Sequence, residues 1–178
     1  EEDIYAIRQA ARLELSFLIS CSFSKTFSLY GERIGALIVR CDDREVRDNV
    51  FGQLRATVRR NYSNPPTLGM LLVTTVLNAD GLRTKWMAEV DEMRQRIRKM
   101  RELLVAKLDE VLGSSRFNHL LEQSGMFAFT GLLPDQIATL RQRHGVYLLN
   151  NGRICISGLT SSNVDYVANA IAETLLNP

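Results

Sequence analysis

Two histidines, three cysteines and a single tryptophan leave this 178-residue chain few ways to build a metal centre or a disulfide-stapled scaffold. His119 and His144 stand far apart, with no cysteine or carboxylate cluster at ligand spacing, so no metal site is expected. Cys21, Cys41 and Cys155 are odd in number and sit in apolar or strand-like surroundings, which points to free buried thiols in a reducing cytoplasm. No apolar run approaches bilayer length and no basic-then-apolar leader opens the given sequence, so a cytoplasmic location without membrane contact is expected. A net charge of only +2 argues against nucleic acid or anionic lipid as partner, since both demand a concentrated basic face. Arg55, Arg59 and Arg60 make a local basic stretch that reads as one side of a mixed-charge helix. Repeats and low-complexity tracts are also missing. What remains is 46% hydrophobic and 24% charged, enough for one ordinary domain or two small ones.

Against that background, residues 22–35 carry chemistry: Lys25 lies among small hydroxyls, and Arg33 follows eight residues later between Gly31 and Gly35. Covalent capture of an aldehyde needs a lysine amine able to lose its proton, and such an amine needs cationic or desolvating surroundings. Arg33 is a suitable cation, and its planar fork matches a phosphate, to which Ser22 and Ser24 can donate hydroxyl hydrogen bonds. Lysine, hydroxyls and arginine together point to pyridoxal phosphate. Alone, a Ser-x-x-Lys pattern is common, and a solvated lysine is its ordinary alternative.

Along the chain, Ile4, Ile7 and Ala11 fall at helical intervals behind the acids Glu1, Glu2 and Asp3. The apolar run 15–21 reads as a buried strand delivering Lys25 at its end, and 34–39 as a second strand following Arg33, with Gly31 in the turn between. Asp42 and Asp43 can cap a helix to about Arg60, which the prolines at 65 and 66 terminate. Residues 67–77 are apolar almost all round and should be buried or lie against a partner. Leu82, Trp86, Val90, Met93, Ile97, Met100, Leu104, Leu108 and Val111 step by three or four along one long helix, with Gly113 at its cap. This stripe reads as core. Strands over 126–130, 146–149 and 153–157 follow, with a helix from Pro134 to His144, Gly145 as its cap, an Asn151-Gly152 hairpin and a terminal helix over 162–176.

In order, the run 22–35, Arg59-Arg60-Asn61-Tyr62-Ser63-Asn64-Pro65-Pro66, Gly125-Met126-Phe127 and Gly152-Arg153-Ile154-Cys155-Ile156-Ser157-Gly158 resemble the class I aminotransferases, specifically the aspartate and aromatic (tyrosine) group. The likeness spans nearly the whole chain and looks closer to the tyrosine branch. It implies an α/β fold: residues 1–81 as the back part of a type I pyridoxal-phosphate transferase large domain, 82–113 as a long connecting helix, and 114–178 as a small α+β domain. The implied activity moves the amino group of an aromatic or dicarboxylic L-amino acid to a 2-oxo acid through pyridoxal 5'-phosphate, in a homodimer.

By the same resemblance Lys25 anchors the cofactor and then works as acid and base, and Ser22, Ser24 and Arg33 hold its phosphate end. Arg153 grips the substrate α-carboxylate. Arg59 reaches a side-chain carboxylate across the dimer interface, though Arg60 beside it is equally an arginine, and Phe127 lines the cleft. The family's pyridine-pairing aspartate, ring-oxygen tyrosine, stacking aromatic and first phosphate loop belong to a front half preceding these motifs. The expectation is therefore a later piece of something longer, inactive or nearly so alone. The alternative is a non-catalytic aminotransferase-like dimerisation or ligand-sensing module.

Overall fold

The computed structural model describes residues 4–177, which divide after Trp86 into two compact units. The first opens with helix α1, Tyr5–Arg12. The acidic turn at Glu1, Glu2 and Asp3 lies outside the described residues. Strands β1, Phe17–Ser22, and β2, Gly35–Arg40, pair antiparallel, Phe17 opposite Arg40 and Ser22 opposite Gly35. The expected burial of β1 does not hold. Half-buried and exposed residues alternate along it, and Leu18, Leu37 and Ile38 are exposed, because a sheet of two strands has no neighbours within this unit to cover its second face.

Helix α2, Arg44–Tyr62, begins where the Asp43 side chain accepts a 2.8 Å hydrogen bond from the Val46 amide, satisfying a donor that the first turn leaves open. Helix α3, Leu68–Asn78, is buried only in part: Gly69 and Val73 are buried, whereas Leu68, Met70, Leu71 and Leu72 are exposed, which leaves the alternative of a partner standing. Its all-round apolar sequence has a packing partner in this unit on one side only.

Helix α4, Asp80–Leu112, starts in the first unit, and its residues from Met87 onward belong to the second. The apolar stripe is core only from Met100 to Leu108: Met100, Leu104 and Leu108 are buried, whereas Leu82 and Met93 before them and Val111 after them are exposed. Gly113, at φ +61°, ends the helix in the left-handed conformation that glycine adopts without steric cost.

The second unit has a continuous apolar core in which Leu104 and Leu108 of α4 meet Phe117, Leu120, Ile156 and Ile171. Strand β3, Phe127–Phe129, pairs antiparallel with β4, Arg153–Cys155. Between them lies α5, Pro134–His144, with proline in its first turn and Gly145 at φ +62° beyond its end, as the sequence indicates. A 3-10 turn, Ile156–Gly158, leads to α6, Val164–Leu176. The expected strand over 146–149 is absent. Val146 and Leu148 are buried in alternation, but the Val146 amide bonds to the Leu140 carbonyl to close α5, and Leu149 bonds to Arg153 across a turn. Asn151 and Gly152 therefore link an irregular segment to β4 and do not join two strands. The cysteines are free, as expected, yet Cys21 and Cys41 are only half-buried and Cys155 is exposed. Among the described residues no helix is long and apolar enough to cross a membrane, and no three metal-ligating side chains gather.

Candidate functional site

Two clusters carry the candidate residues, one in each unit. The first is the loop 23–34 that joins β1 to β2. Gly35 governs its base: a Cβ there would lie 2.5 Å from the Cys21 carbonyl oxygen, so only glycine lets the last strand pair close up where the loop leaves the sheet. The Phe23 amide continues the ladder by donating to the Ile34 carbonyl at 3.1 Å. The chain then turns, with Phe27 donating to Phe23 and Ser28 to Lys25. Phe27 packs edge-on against Phe23 and stacks on Trp86 at 4.7 Å, while the Trp86 indole donates to the Thr26 carbonyl at 2.7 Å. These contacts fix the backbone on both sides of Lys25.

Ser24 is 3% exposed, the most deeply buried polar side chain of the first unit. Its hydroxyl accepts from Ser22 Oγ at 3.2 Å, and its amide donates back to the same oxygen at 3.3 Å. Lys25 and Arg33 are both exposed and converge on one residue: Lys25 Nζ lies 5.2 Å from the centroid of the Tyr30 ring, and Arg33 Nη1 donates to the Tyr30 carbonyl at 3.1 Å. Among the described residues neither cation has a carboxylate within ion-pair distance. Arg33 adopts φ +49°, a left-handed conformation that costs a non-glycine residue about 1–2 kcal/mol. Ser28, at φ +55°, is the other left-handed residue of this loop, so the turn is not made by Gly31 as the sequence implies. Gly69 of α3 supports the strained position. A Cβ there would sit 3.0 Å from that of Ile34 and 3.3 Å from that of Glu32, the two neighbours of Arg33.

Unpaired lysine and arginine, linked hydroxyls and a strained arginine backbone make a donor set that fits a phosphorylated aldehyde: an amine for the carbonyl carbon, a guanidinium and hydroxyls for the phosphate oxygens. Tyr30 has no role assigned from the sequence: its position five residues after one cation and three before the other does not show that both reach it. Arg59 lies in the last turn of α2 with its neighbour Arg60, both exposed and without a carboxylate partner among the described residues.

The second cluster sits on the β3–β4 ribbon. Phe127, Phe129, Arg153 and Cys155 alternate onto its exposed face, and the Arg153 guanidinium lies 4.7 Å over the Phe127 ring. Gln123, Phe127, Ala128, Phe129, Asn151 and Arg153 line an open pocket of about 200 Å³. Asn151 Oδ1 accepts from the Arg153 amide at 3.2 Å. Gln123 clamps Phe129 by accepting from its amide at 2.7 Å and donating to its carbonyl at 3.1 Å. Arg153 has no carboxylate partner among the described residues, so the pocket presents an apolar wall beside an unneutralised guanidinium, suited to a carboxylate on a compact organic body. The sequence marks Asn151 only as a hairpin residue and Gln123 not at all. Strand alternation could have placed Arg153 and Phe127 on one face, but nothing local marks Gln123.

Hydrogen bonds from Arg94 and Gln95 hold the Asp91 carboxyl below its ordinary range, hydrogen bonding to Glu110 and the nearby Asp165 charge raise Lys107, and burial pushes the Arg101 guanidinium down.

The family model of the class I and II aminotransferases matches residues 1–171. Over 175 residues the chain is 51% identical to the aromatic-amino-acid aminotransferase of Escherichia coli K12 and 43% identical to an aspartate aminotransferase of Pseudomonas aeruginosa. Each alignment covers 98% of this chain and 44% of the relative, so the chain spans under half the length of these proteins. The solved structure of an aromatic-amino-acid aminotransferase from Burkholderia pseudomallei, covalently bound to pyridoxal phosphate, superposes with a TM-score of 0.93 at 44% identity, over 98% of this chain and 44% of that one.

Proposed function

The chain belongs to the class I and II aminotransferases, and we propose that it supplies the anchoring lysine and the substrate-binding arginine of an enzyme that transfers amino groups from aromatic or dicarboxylic L-amino acids to 2-oxo acids with pyridoxal 5'-phosphate. The observation that carries this reading is the convergence of Lys25 and Arg33 on Tyr30 beside the Ser22–Ser24 hydroxyl pair.

When bound, the cofactor supplies an electron sink for charge developing at the substrate α-carbon. The chain's own residues do the rest. Arg33 offers two parallel N–H donors to phosphate oxygens, with Ser22 and Ser24 donating from their hydroxyls. Lys25 would hold the aldehyde through Nζ. The same Nζ, when free, would be the base that takes the substrate α-proton and the acid that returns it. Tyr30 holds Nζ over its ring face and so limits where the amine can reach. Arg153 binds the α-carboxylate, with Phe127 and Phe129 as the apolar wall. Arg59 is the cation for a second carboxylate, Arg60 its competitor for that role.

Support for aromatic preference comes from the higher identity to the aromatic-amino-acid enzyme than to the aspartate enzyme. In this reading residues 1–81 complete a large cofactor domain, 82–113 connect, 114–178 form the small domain, and the full-length protein is a homodimer. The test combines this chain with the front half of an aromatic-amino-acid relative. Amino transfer from tyrosine and aspartate to a 2-oxo acid should appear and vanish in Lys25→Ala. Transfer that survives Lys25→Ala overturns the reading.

A further inference from the structure

The β3–β4 ribbon that presents Arg153 and Phe127 pairs only three residues with three, too little to hold a shape by itself. Both its ends are tied to α4 by arginines. Ahead of β3, Arg101 donates from Nη2 to the carbonyl of Gly125, a residue at φ +83° two positions before Phe127. Beyond β4, Arg96 donates from Nη1 to the Leu159 carbonyl at 3.0 Å and from Nη2 to the Ser157 carbonyl at 2.8 Å. The Ile156 amide then bonds to the Met126 carbonyl at 2.8 Å and closes the frame between the two ties.

Arg101 is an uneconomical core residue. It is 5% exposed, sits between Met100 and Leu104, has no carboxylate partner among the described residues, and leaves its Nε without any hydrogen bond. Burying an unpaired guanidinium is costly, and an apolar side chain of similar length would pack there more cheaply. Its one hydrogen bond goes to the carbonyl that sets the start of β3.

We propose that Arg101, assisted by Arg96, is a positioning residue: the pair fixes both ends of the β3–β4 ribbon so that the Arg153 guanidinium stays over the Phe127 ring, oriented for a carboxylate. The proposal rests on the reading of Arg153 as the carboxylate-binding cation. A pre-oriented guanidinium loses less freedom when an anion binds, so the ties act on affinity without touching the ligand.

Nuclear magnetic resonance of the isotopically labelled chain tests this through the ring-current displacement of the Arg153 side-chain signals by Phe127, with succinate as the anion probe. In Arg101→Met that displacement should collapse and succinate binding should weaken about fivefold, while the melting temperature holds or rises because the buried charge is gone. Arg101→Lys, which can still donate to Gly125, should restore the displacement. Arg96→Gln probes the other end with an exposed substitution that leaves the core intact. Arg153 signals that stay displaced in folded Arg101→Met and Arg96→Gln overturn the proposal. If the unsubstituted chain shows the displacement but no response of Arg153 to succinate, the carboxylate role fails, and the variants still decide the positioning role from the displacement alone.

Discussion

The two units spend similar apolar sequence very differently. In the second, Leu104, Leu108, Phe117, Leu120 and Ile171 close into one core, and the ribbon that carries Arg153 is built on it. Among the described residues of the first, Val73 is the only large apolar side chain that is buried, while Leu18, Leu37, Ile38, Leu68 and Leu71 are exposed. Periodicity predicts burial for both sets, because it records which residues want to leave water and says nothing about whether the same chain supplies their cover. The second unit is self-sufficient in packing. The lysine-bearing loop of the first relies instead on local geometry: a close strand crossing at Gly35, an aromatic stack on Trp86 and a seat against Gly69.

The largest test of that contrast is truncation in the core of each unit. Phe117→Ala should cost about 3–5 kcal/mol in urea unfolding of the second unit, whereas Leu37→Ala should change stability by no more than about 0.5 kcal/mol. Equal costs would break the comparison. Next comes the close crossing: Gly35→Ala drives a methyl to 2.5 Å from the Cys21 carbonyl, and forced overpacking of this kind costs about 1–3 kcal/mol. Circular dichroism should report a loosened first unit, and amide exchange should quicken in β1 and β2 while the second unit stays protected. A smaller effect follows at the α2 cap. Asp43→Ala removes the bond to the Val46 amide, lowering stability by about 1 kcal/mol, and Asp43→Asn should recover most of it.

The smallest effects are in pH dependence. Lys107 is raised above its ordinary 10.5 by Glu110 and Asp165, so its contribution is complete below 10.5 and is lost as pH climbs through the raised folded value. Asp91 is held below 3.8 by Arg94 and Gln95, so its contribution is present above 3.8 and is lost as pH falls through the lowered folded value. Stability curves should flatten slightly at the alkaline end in Lys107→Met and at the acid end in Asp91→Asn. Both side chains are half-buried and still reach water, which screens their ion pairs, so a large change at either end would contradict this account.

Legibility in the sequence follows the range of the forces involved. Pro134 and Gly145 mark the ends of α5, and Asp43 the start of α2, because capping chemistry is settled within one helical turn. The segment 146–149 is not the strand its pattern suggests because alternation of Val146 and Leu148 specifies burial, whereas a strand also needs a hydrogen-bonding neighbour, and the amides of Val146 and Leu149 serve α5 and the turn. At the site, Lys25, Arg33, Phe127 and Arg153 could be singled out by residue type and motif. Tyr30 as the meeting point of two cations, Gln123 as the clamp on Phe129 and Arg101 behind Gly125 could not, since each depends on which side chains a turn or a helix brings together.

The most direct measurement is trapping at the lysine loop: the chain is incubated with pyridoxal phosphate, reduced with borohydride, and mapped by peptide mass spectrometry. A single aldehyde-and-phosphate site predicts a pyridoxyl group on Lys25, suppressed by inorganic phosphate and much weakened in Arg33→Met. Label spread over Lys85, Lys99 and Lys107 as well, indifferent to phosphate and to Arg33→Met, would contradict it.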